Sequence, residues 1–161
     1  QGHGSTFKIY LPASEEKAGQ KVLGIDKILF SGSGGILLVD DEPMILSSAS
    51  KMLQRLGYTL YQAASGEEAV DLYGENREKI DLVILDMILP GMSGSQILKK
   101  LKEINAGVKV ILSSGYGMQG EVQEIMKMGC MNFIQKPYNF TDLSRVVYQV
   151  MNSSSGKNME S

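Results

Sequence analysis

Apolar residues in this chain come in two rhythms. Ile36-Leu37-Leu38-Val39 and Leu82-Val83-Ile84-Leu85 are unbroken apolar blocks. Such blocks predict strands covered on both faces, because a parallel sheet between two layers of helices has no polar side. Val108 to Leu112 and Met131 to Gln135 predict two more strands, and the alternating stretch Tyr58 to Ala63 predicts an edge strand. Between them the apolar positions return at helical spacing: Ile45, Ala49, Met52, Leu53 and Leu56; Ala69, Leu72 and Tyr73; Ile97, Leu98, Leu101 and Ile104; Val122, Ile125 and Met126; and Leu143, Val146, Val147, Val150 and Met151. Pro43 suits the first turn of the first helix and Gly57 its end. Ser65 with Glu68 matches a capping box.

Five strands, each followed by a helix, predict an α/β fold. Strict alternation implies a parallel five-stranded sheet with right-handed crossovers and helices on both faces. The domain built this way runs over 36–151. The flanks read differently. Residues 13–35 have the charged and small composition of a linker, ending in Ser31-Gly32-Ser33-Gly34-Gly35. Ile28-Leu29-Phe30 inside it has the apolarity to dock, on a surface the sequence does not identify. Residues 1–12 hold a lone alternating strand, Phe7 to Leu11, which needs a sheet to join and reads as the last strand of a preceding domain. Residues 152–161 form a polar tail.

Composition narrows the function classes. A formal charge of −2 without a basic block argues against nucleic acid as a partner. No apolar run in the 161 residues reaches the length of a membrane span, so membrane contact by this chain is not expected. A single cysteine, Cys130, cannot form an internal disulfide and suits a reducing, cytoplasmic compartment. The methionines read as core filler, and His3 as an inert loop residue.

The chemistry sits at strand ends. Asp40 and Asp41 end the first strand, Asp86 the third, Ser114 the fourth and Lys136 the fifth. In a parallel sheet these ends share the carboxyl edge, and a strand order of 2-1-3-4-5 makes the first and third strands neighbours at the switch point. Three carboxylates would then converge and repel, which a hard divalent cation such as Mg²⁺ relieves. Taken singly, each residue has a plainer explanation: Asp86 as a cap, the Asp40-Asp41-Glu42 run as a complement to a helix dipole, Phe133 as core. Together, carboxylates, a lysine and a hydroxyl suit phosphoryl chemistry, with Asp86 as nucleophile, Asp40 and Asp41 for the metal, and Lys136 and Ser114 for the phosphoryl oxygens.

On these residues the stretch Ile36 to Met151 resembles a response-regulator receiver domain of two-component signalling. The match rests on Asp40-Asp41, Asp86 with Pro90-Gly91 after it, Ser114-Gly115 and Lys136-Pro137, in order across the whole domain. The resemblance implies the flavodoxin-like (βα)5 fold. It implies phosphotransfer from a phosphohistidine of a histidine-kinase or histidine-phosphotransfer domain onto Asp86, and Mg²⁺ held also by the main-chain oxygen of Ile88. It further implies a switch in which Ser114 turns inward and Phe133 follows, remodelling the fourth helix, fifth strand and fifth helix, a face through which the family can form homodimers. The opening Gly2 to Pro12 resembles the end of a histidine-kinase ATP-binding domain. That makes the chain the phosphoacceptor part, without the kinase core, of a hybrid histidine kinase whose membrane anchor, if any, lies elsewhere.

One departure concerns lifetime. Ile88 and Tyr116 stand two residues after Asp86 and Ser114, the positions that flank the attacking water in this family. Neither side chain is suited to holding that water, so slow self-dephosphorylation is expected. Two rival functions fit parts of the same pattern. A Mg²⁺-dependent small-molecule phosphohydrolase would usually carry a second acid two residues after the nucleophile, where this chain has Ile88. A degenerate receiver acting as an interaction scaffold would not need the intact acids, hydroxyl and lysine.

Overall fold

The computed structural model describes Lys8, residues 29–115, Gln123 and residues 125–153. The terminal strand expected over Phe7 to Leu11 (Lys8 apart), Val122, Tyr116 and the tail beyond Ser153 lie outside the described residues. The elements run β1 (Gly35–Val39), α1 (Pro43–Arg55), β2 (Thr59–Ala63), α2 (Gly66–Asn76), β3 (Leu82–Asp86), α3 (Gly94–Ile104), β4 (Val110–Ser114), β5 (Asn132–Gln135) and α4 (Phe140–Asn152). The helix expected around Leu143 to Met151 is α4. Residues 125–127 are helical and belong to the one expected around Ile125 and Met126.

The sheet order is β2-β1-β3-β4-β5 and every pairing is parallel. This is the flavodoxin-like arrangement, with its switch point between β1 and β3. Period-two alternation sorts the strand residues into two cores. Leu37, Val39, Val83, Leu85, Val110 and Leu112 pack with α2 and α3 through Ala69, Tyr73, Ile97, Leu98 and Leu101. Ile36, Leu38, Leu82, Ile84, Ile111 and Ile134 face the other way. They pack with α1 and α4 through Ala49, Leu53, Leu143, Val147 and Val150. The central strands β1, β3 and β4 are buried along their length, whereas β2 is largely open, as an edge strand should be.

Helix ends follow local chemistry. Pro43 opens α1, where its missing N–H costs nothing, and Gly57 follows the helix at φ +100°, a conformation that strains residues with a Cβ. At α2 only half of the expected capping box forms. Ser65 accepts from the Glu68 amide at 3.2 Å, but the Glu68 carboxylate accepts from Ala64 at 2.7 Å rather than from Ser65. The complete box is at α3, where Ser93 and Gln96 serve each other. Its Ser-x-x-Gln spacing is present in the sequence but is overshadowed there by the Pro-Gly turn just before it.

Strand β4 starts at Val110, two residues later than Val108. Lys109 is thereby free to reach the C-terminal end of α4, donating to the carbonyls of Val150, Met151 and Ser153 at 2.9–3.1 Å. Below β3, the Asp81 carboxylate accepts from the Gly35 amide at 2.9 Å. No helix among the described residues is long and apolar enough to cross a membrane.

Candidate functional site

Strands β1, β3 and β5 deliver their polar ends to one edge. Asp86 is the last residue of β3 and is buried. Asp40 follows β1 and is buried too, while Asp41 beside it is exposed. One oxygen of each of the three carboxylates lies within 4.8 Å of the others, the single such acidic group among the described residues.

The two buried acids are held alike. Asp40 accepts from the Glu42 amide at 3.0 Å through Oδ1, and Asp86 accepts from the Ile88 amide at 3.3 Å through Oδ1. The remaining oxygen of each, Oδ2, meets the ammonium of Lys136, at 2.8 Å for Asp86. Lys136 reaches this point because its amide donates to the Ser114 carbonyl at 2.7 Å, extending the β4–β5 pairing one step past the strand. A single cation therefore bridges two buried anions, with a third anion at the solvent side.

The electrostatics follow from that geometry. Burial pushes the Asp86 carboxyl up from its ordinary value; Lys136 and the Ile88 amide pull it back without cancelling the rise, and Asp40 adds to it. Burial alone would lower the Lys136 ammonium, but hydrogen bonds and charge from Asp40 and Asp86 outweigh it and hold the group above its usual range. The Tyr138 phenol, two residues on, is pushed well up by burial and by the same two carboxylates.

An open cleft lies over the acids. Asp41, Glu42, Asp86 and Lys136 supply its polar wall, and Ile45, Ile88, Gly115 and Pro137 its apolar rim. Helical spacing assigns Ile45 to the core face of α1, yet it lines this cleft, because the first turn of α1 projects beyond the sheet edge. Met44 next to it is 83% exposed and Ile88 61% exposed. The part of Ile45 and Ile88 in that rim has no signature in the sequence, since it depends on where the sheet ends.

The structure brings together Asp40, Asp41, Asp86 and Lys136. It does not bring the Ser114 hydroxyl into that group. Ser114 is fully buried on the α2–α3 side of the sheet and its Oγ donates to the Gly115 carbonyl at 3.3 Å. Ser113 points to the opposite side, in register with Asp86. Phe133 is half-buried and packs on the core beneath α3 and residues 125–126.

The donor set fits magnesium. It is all oxygen, two carboxylates are fixed by backbone amides, and the exposed Asp41 leaves room for the water ligands this ion retains.

The family described as the response regulator receiver domain matches residues 36–148. Sporulation initiation phosphotransferase F of Bacillus subtilis is 36% identical over 112 residues, covering 70% of this chain and 89% of that protein. Sensor kinase CckA of Brucella abortus is 31% identical over 158 residues, 93% of this chain but 17% of the kinase. Among solved structures, the receiver domain of the sensor histidine kinase PA1611 from Pseudomonas aeruginosa, which has a magnesium ion coordinated in its active-site cleft, superposes with a TM-score of 0.68. It is 26% identical and covers 76% of this chain and all of that one.

Proposed function

The chain belongs to the response regulator receiver family, and on that premise we propose that Asp86 is its phosphoacceptor. The observation that carries this reading is the Lys136 ammonium shared between Asp40 and Asp86 at the carboxyl edge of the sheet. An Asp86 oxygen forms a bond to phosphorus as the N–P bond of a donor phosphohistidine breaks, and the imidazole leaves. Asp40, Asp41 and Asp86, with the Ile88 main-chain oxygen, would hold Mg²⁺. When bound, the ion supplies positive charge against the phosphoryl oxygens. Lys136 pairs with one of those oxygens. The Ser114 hydroxyl, which donates only to its neighbour's carbonyl in the resting site, turns to donate to a phosphoryl oxygen, and Phe133 follows.

The apolar rim of Ile45, Ile88 and Pro137 beside the acids suits a helical donor, which would bury it while presenting its histidine to Asp86. Ile88 also weighs against a phosphohydrolase. It is the residue two after the nucleophile and offers no proton to a leaving group.

The donor belongs to a histidine-kinase or histidine-phosphotransfer domain, and the parent protein is a hybrid kinase with residues 1–12 as the end of its ATP-binding domain. The match to the Brucella kinase supports this, since 93% coverage must take in most of the residues ahead of Ile36. This reading puts the receiver in the cytoplasm. It also allows a homodimer through residues 125–127, β5 and α4, checked by sedimentation with and without beryllofluoride. The central test incubates the chain with acetyl phosphate and Mg²⁺ and measures intact mass. One added phosphoryl group, dependent on Mg²⁺ and absent in Asp86→Asn, is expected. Incorporation that persists in Asp86→Asn overturns the assignment.

A further inference from the structure

Residues 30–35 hold the base of the domain more tightly than a spacer requires. The Phe30 ring lies 5.0 Å from the Tyr148 ring, the planes inclined at 33°. The Gly32 amide donates to the Leu56 carbonyl at 2.9 Å, and a Cβ at Gly32 would strike the Tyr58 phenol. The Gly34 carbonyl accepts from the Thr59 amide at 2.9 Å, and Gly34 itself, at φ +119°, sits between Asp81 and Met151. Each step fastens this stretch to the end of α1, the start of β2 or the outer side of α4.

Helix α4 is also the element that joins this corner to the acids. It begins at Phe140, after the Asn139 cap that follows Lys136-Pro137-Tyr138, and it carries Tyr148 toward the opposite end. Its 13 residues form a rod of about 20 Å. Only Pro137 and Tyr138 separate Lys136 from the Asn139 cap, so a backbone shift at Lys136 passes directly into the first turn of α4. Tyr148 remains 37% exposed even with Phe30 against it, so the ring contact is one that can open without unfolding the core.

We propose that Phe30 is a strap whose grip on Tyr148 holds α4 in its resting position, and that a phosphoryl-like group at Asp86 loosens that grip. The occupant of the Tyr148–Tyr58 corner is this chain's own segment 30–32, and what it carries is the polypeptide upstream. A phosphoryl oxygen takes one of the Lys136 donors now given to Asp40 and Asp86. The lysine shifts, α4 follows, and the strap is released at the far end. This route runs along the α1–α4 side of the sheet, apart from Ser114 and Phe133 on the other side. It rests on the phosphoacceptor reading. Coupling between two sites is reciprocal, so freeing the strap must make the acid site easier to fill.

The test uses the whole chain, Mg²⁺ and beryllofluoride. Phe30→Ala and Tyr148→Ala are expected to tighten beryllofluoride binding by about fivefold in calorimetry, the low end of ordinary coupling. Phe30→Tyr, which keeps a ring in place, should bind like the parent, and Phe30→Leu serves if the alanine variant folds poorly. Amide exchange at Gly32 should quicken in the parent chain when beryllofluoride is added. Unchanged affinity in a variant whose Gly32 amide is already fast overturns the coupling alone. A parent chain that binds neither Mg²⁺ nor beryllofluoride overturns the phosphoacceptor reading, and the strap proposal falls with it.

Discussion

Strand β3 has an aspartate at each end, and the two live differently. Asp81, just before the strand, gives its carboxylate to the Gly35 amide. Asp86, its last residue, gives one oxygen to an amide and the other to a lysine that Asp40 also claims. The lysines repeat the contrast. Lys109, ahead of β4, donates to three carbonyls at the end of α4, whereas Lys136, after β5, donates to two carboxylates. At the base, charges meet backbone dipoles and close the fold. At the carboxyl edge, charges meet one another and leave three acids facing one ammonium, an imbalance that stability alone would not select. The same residue types thus mark structure at one edge and chemistry at the other, and the partner decides which.

Removing Asp86 should separate the two edges most sharply. Asp86→Asn is expected to cut phosphoryl incorporation from acetyl phosphate by about 100-fold or more. Its stability should move the other way. The folded-state carboxyl is shifted up, so folding favours its protonated form. That contribution is fully present below the unfolded pKa and is lost as pH rises through the folded value. The neutral amide escapes the loss, so denaturant unfolding at neutral pH without Mg²⁺ should find Asp86→Asn more stable than the parent.

Lys136→Met should destabilise by about 3 kcal/mol at neutral pH, since it strands two buried carboxylates. The loss should shrink as pH falls into the carboxylate range, and added Mg²⁺ should recover part of it. An equal loss at every pH would show that packing, not charge, holds this edge together. At the base, Asp81→Ala should cost about 1–2 kcal/mol by leaving the Gly35 amide unpaired, with phosphorylation unchanged. Lys109→Met should cost about 1 kcal/mol, the scale of a cation at a helix C-terminus, again without effect on phosphorylation. A fall in phosphorylation for either base variant would break the comparison. The smallest effect is expected at Ile88. An Ile88→Asn chain, able to orient water, should lose its phosphoryl group about threefold faster, measured by mass over time after removal of acetyl phosphate.

Most of this was legible in the residues. The unbroken blocks Ile36 to Val39 and Leu82 to Leu85 announce buried parallel strands, and the acids and lysine are readable because each ends such a block. What the chain hides is what depends on distant partners. Nothing near Lys109 says that it serves α4 rather than a strand, which is why β4 begins later than its apolar run. Nothing near Ile45 says that the sheet stops beneath it. Phe30 looks like a linker residue because its partner, Tyr148, lies almost at the other end of the domain. Glu68 had two amides within reach and took Ala64, a choice between near-equal hydrogen bonds that spacing does not encode.

The packing of Gly34 against Met151 has a consequence for how the domain is used. The chain enters at Gly34 and leaves past Ser153 at neighbouring points on the base, with Lys109 pinning the exit. The acids open on the far side. Entry and exit side by side make the unit a cassette, able to be spliced into a longer polypeptide with little strain on its host. Wherever it is spliced, its acidic mouth faces away from the seam, so the site stays accessible while the host is rearranged around it.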